Sequence, residues 1–203
     1  ILFIMNSKKI TFLLFFISFF SFSQINNEYL EVGATAPTII GVNQFDESVI
    51  SDEILKEKQI LLLFYRGNWC SYCKKHLREL QNNLEALNSK NVFVIVVTPE
   101  KVEKVIETSD MINAKFSIIH DKDNSIMNAY KVSFDVNEIN VSKYFESTLE
   151  RLREYNEQRN NVLPVPATYI INKHSKISYV HYNPNYKERA SFEDILNQLT
   201  GEN

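Results

Sequence analysis

Residues 60–73 read Ile60-Leu61-Leu62-Leu63-Phe64-Tyr65-Arg66-Gly67-Asn68-Trp69-Cys70-Ser71-Tyr72-Cys73, and they contain both cysteines of the 203-residue chain. The continuous apolar run at 60–65 predicts a strand that is buried on both faces. From Cys73 onward the apolar residues recur at a helical spacing that places them on one face: Cys73, Leu77, Leu80, Leu84 and Leu87. The two cysteines therefore lie at a predicted strand-to-helix turn.

The spacing of Cys70 and Cys73 favours redox chemistry over a structural role. A disulfide between residues three apart closes a very small loop and constrains the unfolded chain little. The thiolate is the attacking species, and the first turn of a helix lowers the pKa of a thiol placed there. Since two such thiols can attack and resolve in turn, we predict that Cys70 and Cys73 are the catalytic residues.

The residues around the pair suggest different roles for the two thiols. Arg66, Trp69 and Lys74 are predicted supporting residues, and the two cations would favour a nearby thiolate. Cys70 precedes the helix, so we expect its sulfur to face solvent and to be the nucleophile with the lower pKa. Cys73 shares the apolar helix face, so we expect it to be partly buried and to act as the resolving thiol.

The rest of the chain alternates strands with helices. Strands are predicted at 92–97, 116–119, 168–171 and 177–181, and helices at 99–109, 125–130 and 192–199. Alternation places helices on both faces of a sheet, and the close C-terminal strand pair predicts an antiparallel hairpin. The predicted fold class is α/β, a three-layer α/β/α sandwich with a mixed central sheet. We expect one domain over residues 24–203, with a helical insertion at about 138–160.

The N-terminal segment, residues 1–23, has the pattern of a secretory signal peptide. Lys8 and Lys9 precede the apolar run 10–22, and small residues stand three and one before a cleavage point after Ser23. The run is shorter than the ~20 apolar residues of a spanning helix, which disfavours a membrane anchor. We expect translation to start at Met5, residues 1–4 to lie upstream, and the mature protein to be periplasmic or secreted, without membrane association.

Charge and ligand types exclude several function classes. The net charge is −3 and no basic block is present, so we expect no nucleic-acid partner. A zinc site would need more cysteine or histidine ligands near the pair, and no cofactor is expected. Binding of Cu(I) by the two soft thiolates is an alternative, with a further nitrogen ligand from His120, His174 or His181.

Residues 64–73 resemble the active-site turn of the peroxiredoxin-like branch of the AhpC/TSA (alkyl hydroperoxide reductase/thiol-specific antioxidant) family, within the thioredoxin-fold superfamily. Weaker resemblances extend it over about residues 31–182, at 32–37, 116–121, 128–132 and 165–170. The resemblance implies a thioredoxin-like sheet and antioxidant activity. It also implies a cis bond between Val165 and Pro166, with both residues beside the cysteine pair as part of a docking surface for partners.

The chain departs from the active-site patterns of both peroxiredoxins and thioredoxin, the two groups to which the resemblance points. Peroxiredoxins place threonine and proline three and seven residues before the peroxidatic cysteine, which aligns with Cys73, and those positions here hold Cys70 and Arg66. Thioredoxin places a carboxylate six residues before its first cysteine, where this chain has Phe64. The alignment therefore favours Cys73 as the attacking thiol, whereas helix position and burial favour Cys70.

Two enzymatic functions follow from these patterns. The first is an exported thiol–disulfide oxidoreductase that acts on protein or small-molecule thiols and disulfides through the Cys70–Cys73 pair. The alternative is reduction of hydroperoxides with an external dithiol donor, in which Arg66 would polarise the peroxide.

Overall fold

The fold is built around a five-stranded mixed sheet. The computed structural model describes residues 29–138, 142–156 and 161–199. In chain order the elements are β1 (Ile40–Val42), β2 (Ser48–Ile50), α1 (Ser51–Ile54), β3 (Gln59–Phe64), α2 (Ser71–Ser89), β4 (Val92–Thr98), α3 (Val102–Ile112), β5 (Ser117–His120), α4 (Ser125–Ala129), β6 (Ser133–Asp135), a 3₁₀ turn (Val136–Glu138), α5 (Ser142–Tyr155), β7 (Val162–Pro164), β8 (Ala167–Ile171), β9 (Ile177–Tyr182) and α6 (Phe192–Gln198).

The strand order of the central sheet is β5-β4-β3-β8-β9. Strands β3, β4 and β5 are parallel, whereas β8 runs antiparallel to β3 and to β9. Residue Phe64, the last of β3, pairs with Ala167, the first of β8. The carboxyl end of β3 therefore meets the start of β8 at one edge of the sheet. The predicted mixed sheet is confirmed.

Helices cover both faces of this sheet because β3 presents apolar side chains alternately to each side. Leu61 and Leu63 face a core shared with α2, α3 and α6. Ile60, Leu62 and Phe64 face a second core that includes residues of α1, α4 and the β1–β2 hairpin or its flanks. The predicted α/β/α sandwich is confirmed.

Helix α2 carries the cysteine pair at its N-terminal end and begins at Ser71. Its predicted apolar face is buried, and His76 is buried beside it with its ring centroid 5.2 Å from that of Phe192. Burial lowers the pKa of His76 to about 4. No acidic residue lies in the first turn, so a thiolate there has no carboxylate competing for the free backbone N–H groups.

A two-stranded sheet, separate from the central sheet and from the β1–β2 pair, flanks the predicted insertion at about 138–160. β6 and β7 pair antiparallel, with Ser133 opposite Pro164, and the sequence did not predict this pair because each strand is only three residues long. Between them lies α5, whose Leu149 and Leu152 are buried in a small apolar cluster that Trp69 also contacts. Part of this stretch thus packs on the turn that precedes Cys70.

Within the ranges that the structure describes, no helix is long and apolar enough to cross a bilayer. The expected signal segment, residues 1–23, lies outside the described residues.

Candidate active site

Cys70 lies where the chain turns from β3 into α2. It is the N-cap residue of that helix, and its backbone N–H donates to the carbonyl of Gly67 at 3.0 Å. The exposed fraction is 5% for Cys70 and 1% for Cys73, and both thiols are free. The expectation that Cys70 faces solvent is therefore wrong. Both sulfur-bearing residues belong to the core cluster on the α2 face of the sheet, and Trp69 packs against that cluster.

The two thiols are electrostatically unlike despite their proximity. The pKa of Cys70 is lowered to about 6, chiefly by a hydrogen bond from the Cys73 side chain. The Cys73 backbone N–H and the charges of Arg66 and Arg189 act in the same direction, whereas burial opposes them. Burial, followed by the hydrogen bond to Cys70, raises the pKa of Cys73 well above its ordinary value. The pair therefore holds its negative charge on Cys70 and its proton on Cys73.

Two arginines that are far apart in the sequence both face the thiols. Arg66 lies between two aromatic rings, with its guanidinium carbon 5.1 Å from the Trp69 centroid and 4.8 Å from that of Tyr186. Arg189 donates from Nη2 toward the Cys73 sulfur at 3.7 Å. Sequence reasoning missed Arg189, because a single arginine in the polar segment before α6 carries no local signal.

Trp69 joins the active-site turn to α5. Its ring is flanked by Arg66 and, at 5.8 Å from the ring centroid, by the guanidinium of Arg151, which also donates to the Trp69 carbonyl at 3.4 Å. Lys74, the other predicted supporting cation, is half-buried in the first turn of α2. The cations with the largest effect on Cys70 are the two arginines that face it.

A buried carboxylate, Glu100, lies beneath the active-site turn. It is fully buried and accepts hydrogen bonds from the Tyr65 hydroxyl at 2.9 Å and the Asn68 backbone N–H at 2.6 Å. Burial raises its pKa to about 7, although both hydrogen bonds act in the opposite direction. The sequence contained a usable signal, since Glu100 follows β4 closely and the carboxyl ends of parallel strands meet at one sheet edge.

Val165 and Pro166 lie at the same sheet edge as the cysteine turn. Both are buried, and the adjoining residue Ala167 pairs with Phe64. The prediction of a cis bond between Val165 and Pro166 is wrong, since that peptide is trans. The chain passes almost directly from β7 into β8 with the Val165 N–H donating to the Val132 carbonyl at 2.7 Å, and this extended path is compatible with the intrinsic trans preference of ~0.5–1 kcal/mol.

The histidines proposed as Cu(I) ligands occupy separate positions. His120 ends β5, with Nδ1 against the Glu100 carbonyl, whereas His174 lies in the β8–β9 turn and His181 on β9 opposite Thr168. Across the described residues, no three cysteine, histidine or acidic side chains form a group that could hold a metal ion.

The sequence model of the AhpC/TSA family matches residues 32–180, nearly three quarters of the chain. The chain belongs to the AhpC/TSA family. This match contains the cysteine turn, Glu100 and Arg151, and it ends before Arg189. The resemblance read from the active-site segment is thereby confirmed.

Individual relatives of this AhpC/TSA protein are distant. It is 27% identical over 103 residues to the bcp protein of Buchnera aphidicola, which carries a provisional peroxiredoxin name; the match covers 51% of this chain and 65% of that protein. It is 25% identical over 111 residues to the thiol-disulfide oxidoreductase ResA of Oceanobacillus iheyensis, covering 53% and 57%. The matches thus span less than two thirds of either relative. Family and relatives together support a thiol oxidoreductase enzyme.

Solved structures confirm the thioredoxin-like fold. The peroxidoxin BcpB of Mycobacterium tuberculosis superposes with a TM-score of 0.64 at 11% identity, covering 84% of this chain and 97% of that one. A cysteine-to-serine mutant of Xylella fastidiosa PrxQ superposes with a TM-score of 0.65 at 14% identity, covering 84% and 96%. At these identities the similarity concerns the fold alone.

Glu100 should make the stability of the protein fall as pH rises. Its pKa is about 7 when folded against an ordinary 4.5, so the folded state binds more protons between these values. The stability that Glu100 contributes is therefore fully present below about pH 4.5 and is lost as the pH rises through 7. Relative to Glu100→Gln, the wild type should lose at most about 3 kcal/mol of unfolding free energy between pH 5 and 8.

Urea unfolding of both proteins at the two pH values measures this difference. Glu103→Gln is the control, because Glu103 is exposed on α3. Parallel pH profiles for the wild type and Glu100→Gln would show that Glu100 is already ionised in the folded protein.

Proposed function

We propose that this chain is an exported thiol–disulfide oxidoreductase in which Cys70 attacks and Cys73 resolves. The observation that carries the proposal is the polarised pair. Cys70 has a lowered pKa at the N-terminus of α2, and Cys73 is buried, protonated and hydrogen-bonded to it. A dithiol whose two members differ in this way can separate attack from resolution.

The proposed exchange transfers two electrons from the dithiol to a substrate disulfide. The Cys70 thiolate attacks one substrate sulfur, the substrate S–S bond breaks, and the first substrate thiolate leaves with its electron pair. Cys73 then gives up its proton to that leaving thiolate or to water and attacks the Cys70 sulfur. The second substrate thiolate leaves, and the protein holds a Cys70–Cys73 disulfide that an external dithiol reduces by the reverse steps.

Hydroperoxide reduction is the second candidate, favoured by the guanidinium of Arg66 beside the thiols and by the peroxiredoxin name of the bcp relative. The attacking thiolate would take the terminal peroxide oxygen, release an alcohol or water and become a sulfenic acid. The second thiol would condense with it, releasing water and forming the same disulfide. An external dithiol would again supply the two electrons.

The proposed site of action is the periplasm or the exterior of the cell. The support is the sequence pattern of Lys8 and Lys9, the apolar run 10–22 and Ser23. Protein recovered from its native host should therefore begin near Gln24, and full-length chain in the membrane fraction would contradict export.

Turnover on two substrates with one protein sample tests the function. With dithiothreitol as donor, we expect the wild type to reduce a disulfide substrate and Cys70→Ser to lose this activity. Consumption of hydrogen peroxide should be slower at equal substrate concentration. Rapid peroxide consumption that depends on either cysteine, with little disulfide reduction, would place the peroxidase function ahead.

A further inference from the structure

Three guanidinium groups surround the turn that presents Cys70. Arg66 precedes the turn, Arg151 comes from α5 and Arg189 from the segment before α6. The ion pairs found in the described ranges are instead lysine–glutamate pairs within helices or at their ends: Lys56–Glu53, Lys75–Glu79 and Lys104–Glu107. A chain of net charge −3 thus concentrates arginines without carboxylate partners, among the described residues, around its thiols.

The three arginines differ in how they could meet a substrate. Arg66 is packed between Trp69 and Tyr186, so it acts mainly on the thiolate itself. Arg189 is half-buried and contacts the Cys73 sulfur. Arg151 is exposed, and its bond to the Trp69 carbonyl holds it beside the residue that precedes Cys70. Arg151 is therefore placed to contact a group attached to an incoming sulfur.

We infer that Arg151 and Arg189 bind the carboxylates of small disulfide substrates whose sulfur is attacked by Cys70. The inference rests on the proposed function and names its substrate class. A guanidinium pairs with a carboxylate through two parallel N–H···O bonds, which gives orientation as well as attraction. With Cys70 only 5% exposed and Cys73 1%, a slender molecule reaches the sulfur more readily than a rigid protein surface does.

Arg151 allows binding to be separated from thiol activation. The charges with the largest effect on the pKa of Cys70 are those of Arg66 and Arg189, so removing Arg151 should leave the thiolate population intact. Arg153 provides a matched control on the same helix, since it is also exposed and lies two residues away. A change of two positions rotates it by roughly 200° around a helix of 3.6 residues per turn.

The experiment uses three disulfides of similar size and different charge: dithiodipropionate with two carboxylates, neutral hydroxyethyl disulfide, and cystamine with two ammonium groups. The rate at which each oxidises the reduced wild-type protein is measured. We expect dithiodipropionate to react fastest and cystamine slowest. Arg151→Gln should slow dithiodipropionate by about two- to five-fold, as for one exposed ion pair, and leave hydroxyethyl disulfide unchanged.

The controls separate this inference from the proposed function. Arg151→Lys should retain part of the preference, Arg153→Gln should retain all of it, and high salt should remove it. Alkylation of Cys70 by neutral iodoacetamide should be equal in Arg151→Gln and the wild type. Equal rates for all three disulfides would overturn this inference and leave the proposed function standing. The same would follow if Arg151→Gln slowed hydroxyethyl disulfide as much as dithiodipropionate. Failure of every disulfide to oxidise the wild type would overturn the proposed function itself.

Discussion

Cys70→Ser is expected to abolish disulfide reduction, with turnover falling by about 10³-fold or more, as when other enzymes lose their nucleophile. A serine hydroxyl is not ionised near neutral pH and does not attack a disulfide. The remaining thiol, Cys73, is 1% exposed and has a pKa raised by burial, so it should not substitute for Cys70. Turnover with dithiothreitol as donor measures the loss.

Cys73→Ser should have the opposite character and retain a fast thiol. The serine hydroxyl can still donate to the Cys70 sulfur in place of the Cys73 thiol that lowers its pKa. Attack then proceeds, but nothing resolves the product, so a mixed disulfide with the substrate should accumulate and be visible by mass spectrometry. If Cys70→Ser instead keeps the fast thiol and forms a sulfenic acid with peroxide, the roles of the two cysteines are reversed.

Gly67→Ala is expected to damage both stability and activity. Gly67 has φ +150, and an added Cβ would lie 2.8 Å from Trp69 Cδ1, nearer still to its Nε1, and 3.0 Å from Glu100 Oε1. Backbone strain and overpacking at about 1–3 kcal/mol each should together lower the unfolding free energy by about 2–6 kcal/mol. Because the Gly67 carbonyl accepts the Cys70 N–H, the turn that presents the nucleophile must also shift.

Gly33→Ala is the matched control for backbone strain without crowding. Gly33 has φ +90, and a Cβ there would meet no atom within 4 Å. It should cost only about 1–2 kcal/mol and leave turnover unchanged. Denaturant unfolding and turnover of both variants measure the contrast. Equal losses of activity, or full activity in Gly67→Ala, would show that the packing of Trp69 over Gly67 does not position Cys70.

Much of the fold was predictable because its signals are local. The apolar run 60–65 predicted a strand buried on both faces, and the apolar face from Cys73 to Leu87 predicted the helix that follows it. The close pair at 168–171 and 177–181 predicted the antiparallel edge of the sheet. Together with the alternation of strands and helices along the chain, these patterns predict a mixed sheet with the cysteine pair at a strand-to-helix turn.

The surroundings of the thiols were less predictable because they come from distant parts of the chain. Arg189 lies 116 positions after Cys73, and Arg151 reaches Trp69 only because α5 packs on the turn. Burial of Cys70 follows from long-range packing, which the helical spacing of α2 does not encode. The bond at Pro166 keeps the intrinsic trans preference of an X–Pro pair, whereas the cis expectation came only from the resemblance to a family.

The pH dependence of alkylation in the reduced wild-type protein tests the central claim, that Cys70 is the nucleophile, most directly. Iodoacetamide is added in brief pulses across the pH range, and peptide mass spectrometry reports each cysteine separately. We predict that Cys70 is modified first, with half of its maximal rate at a pH of about 6, while Cys73 stays unmodified. Modification of Cys73 ahead of Cys70, or a midpoint for Cys70 at the ordinary thiol value of ~8.5, would contradict the claim.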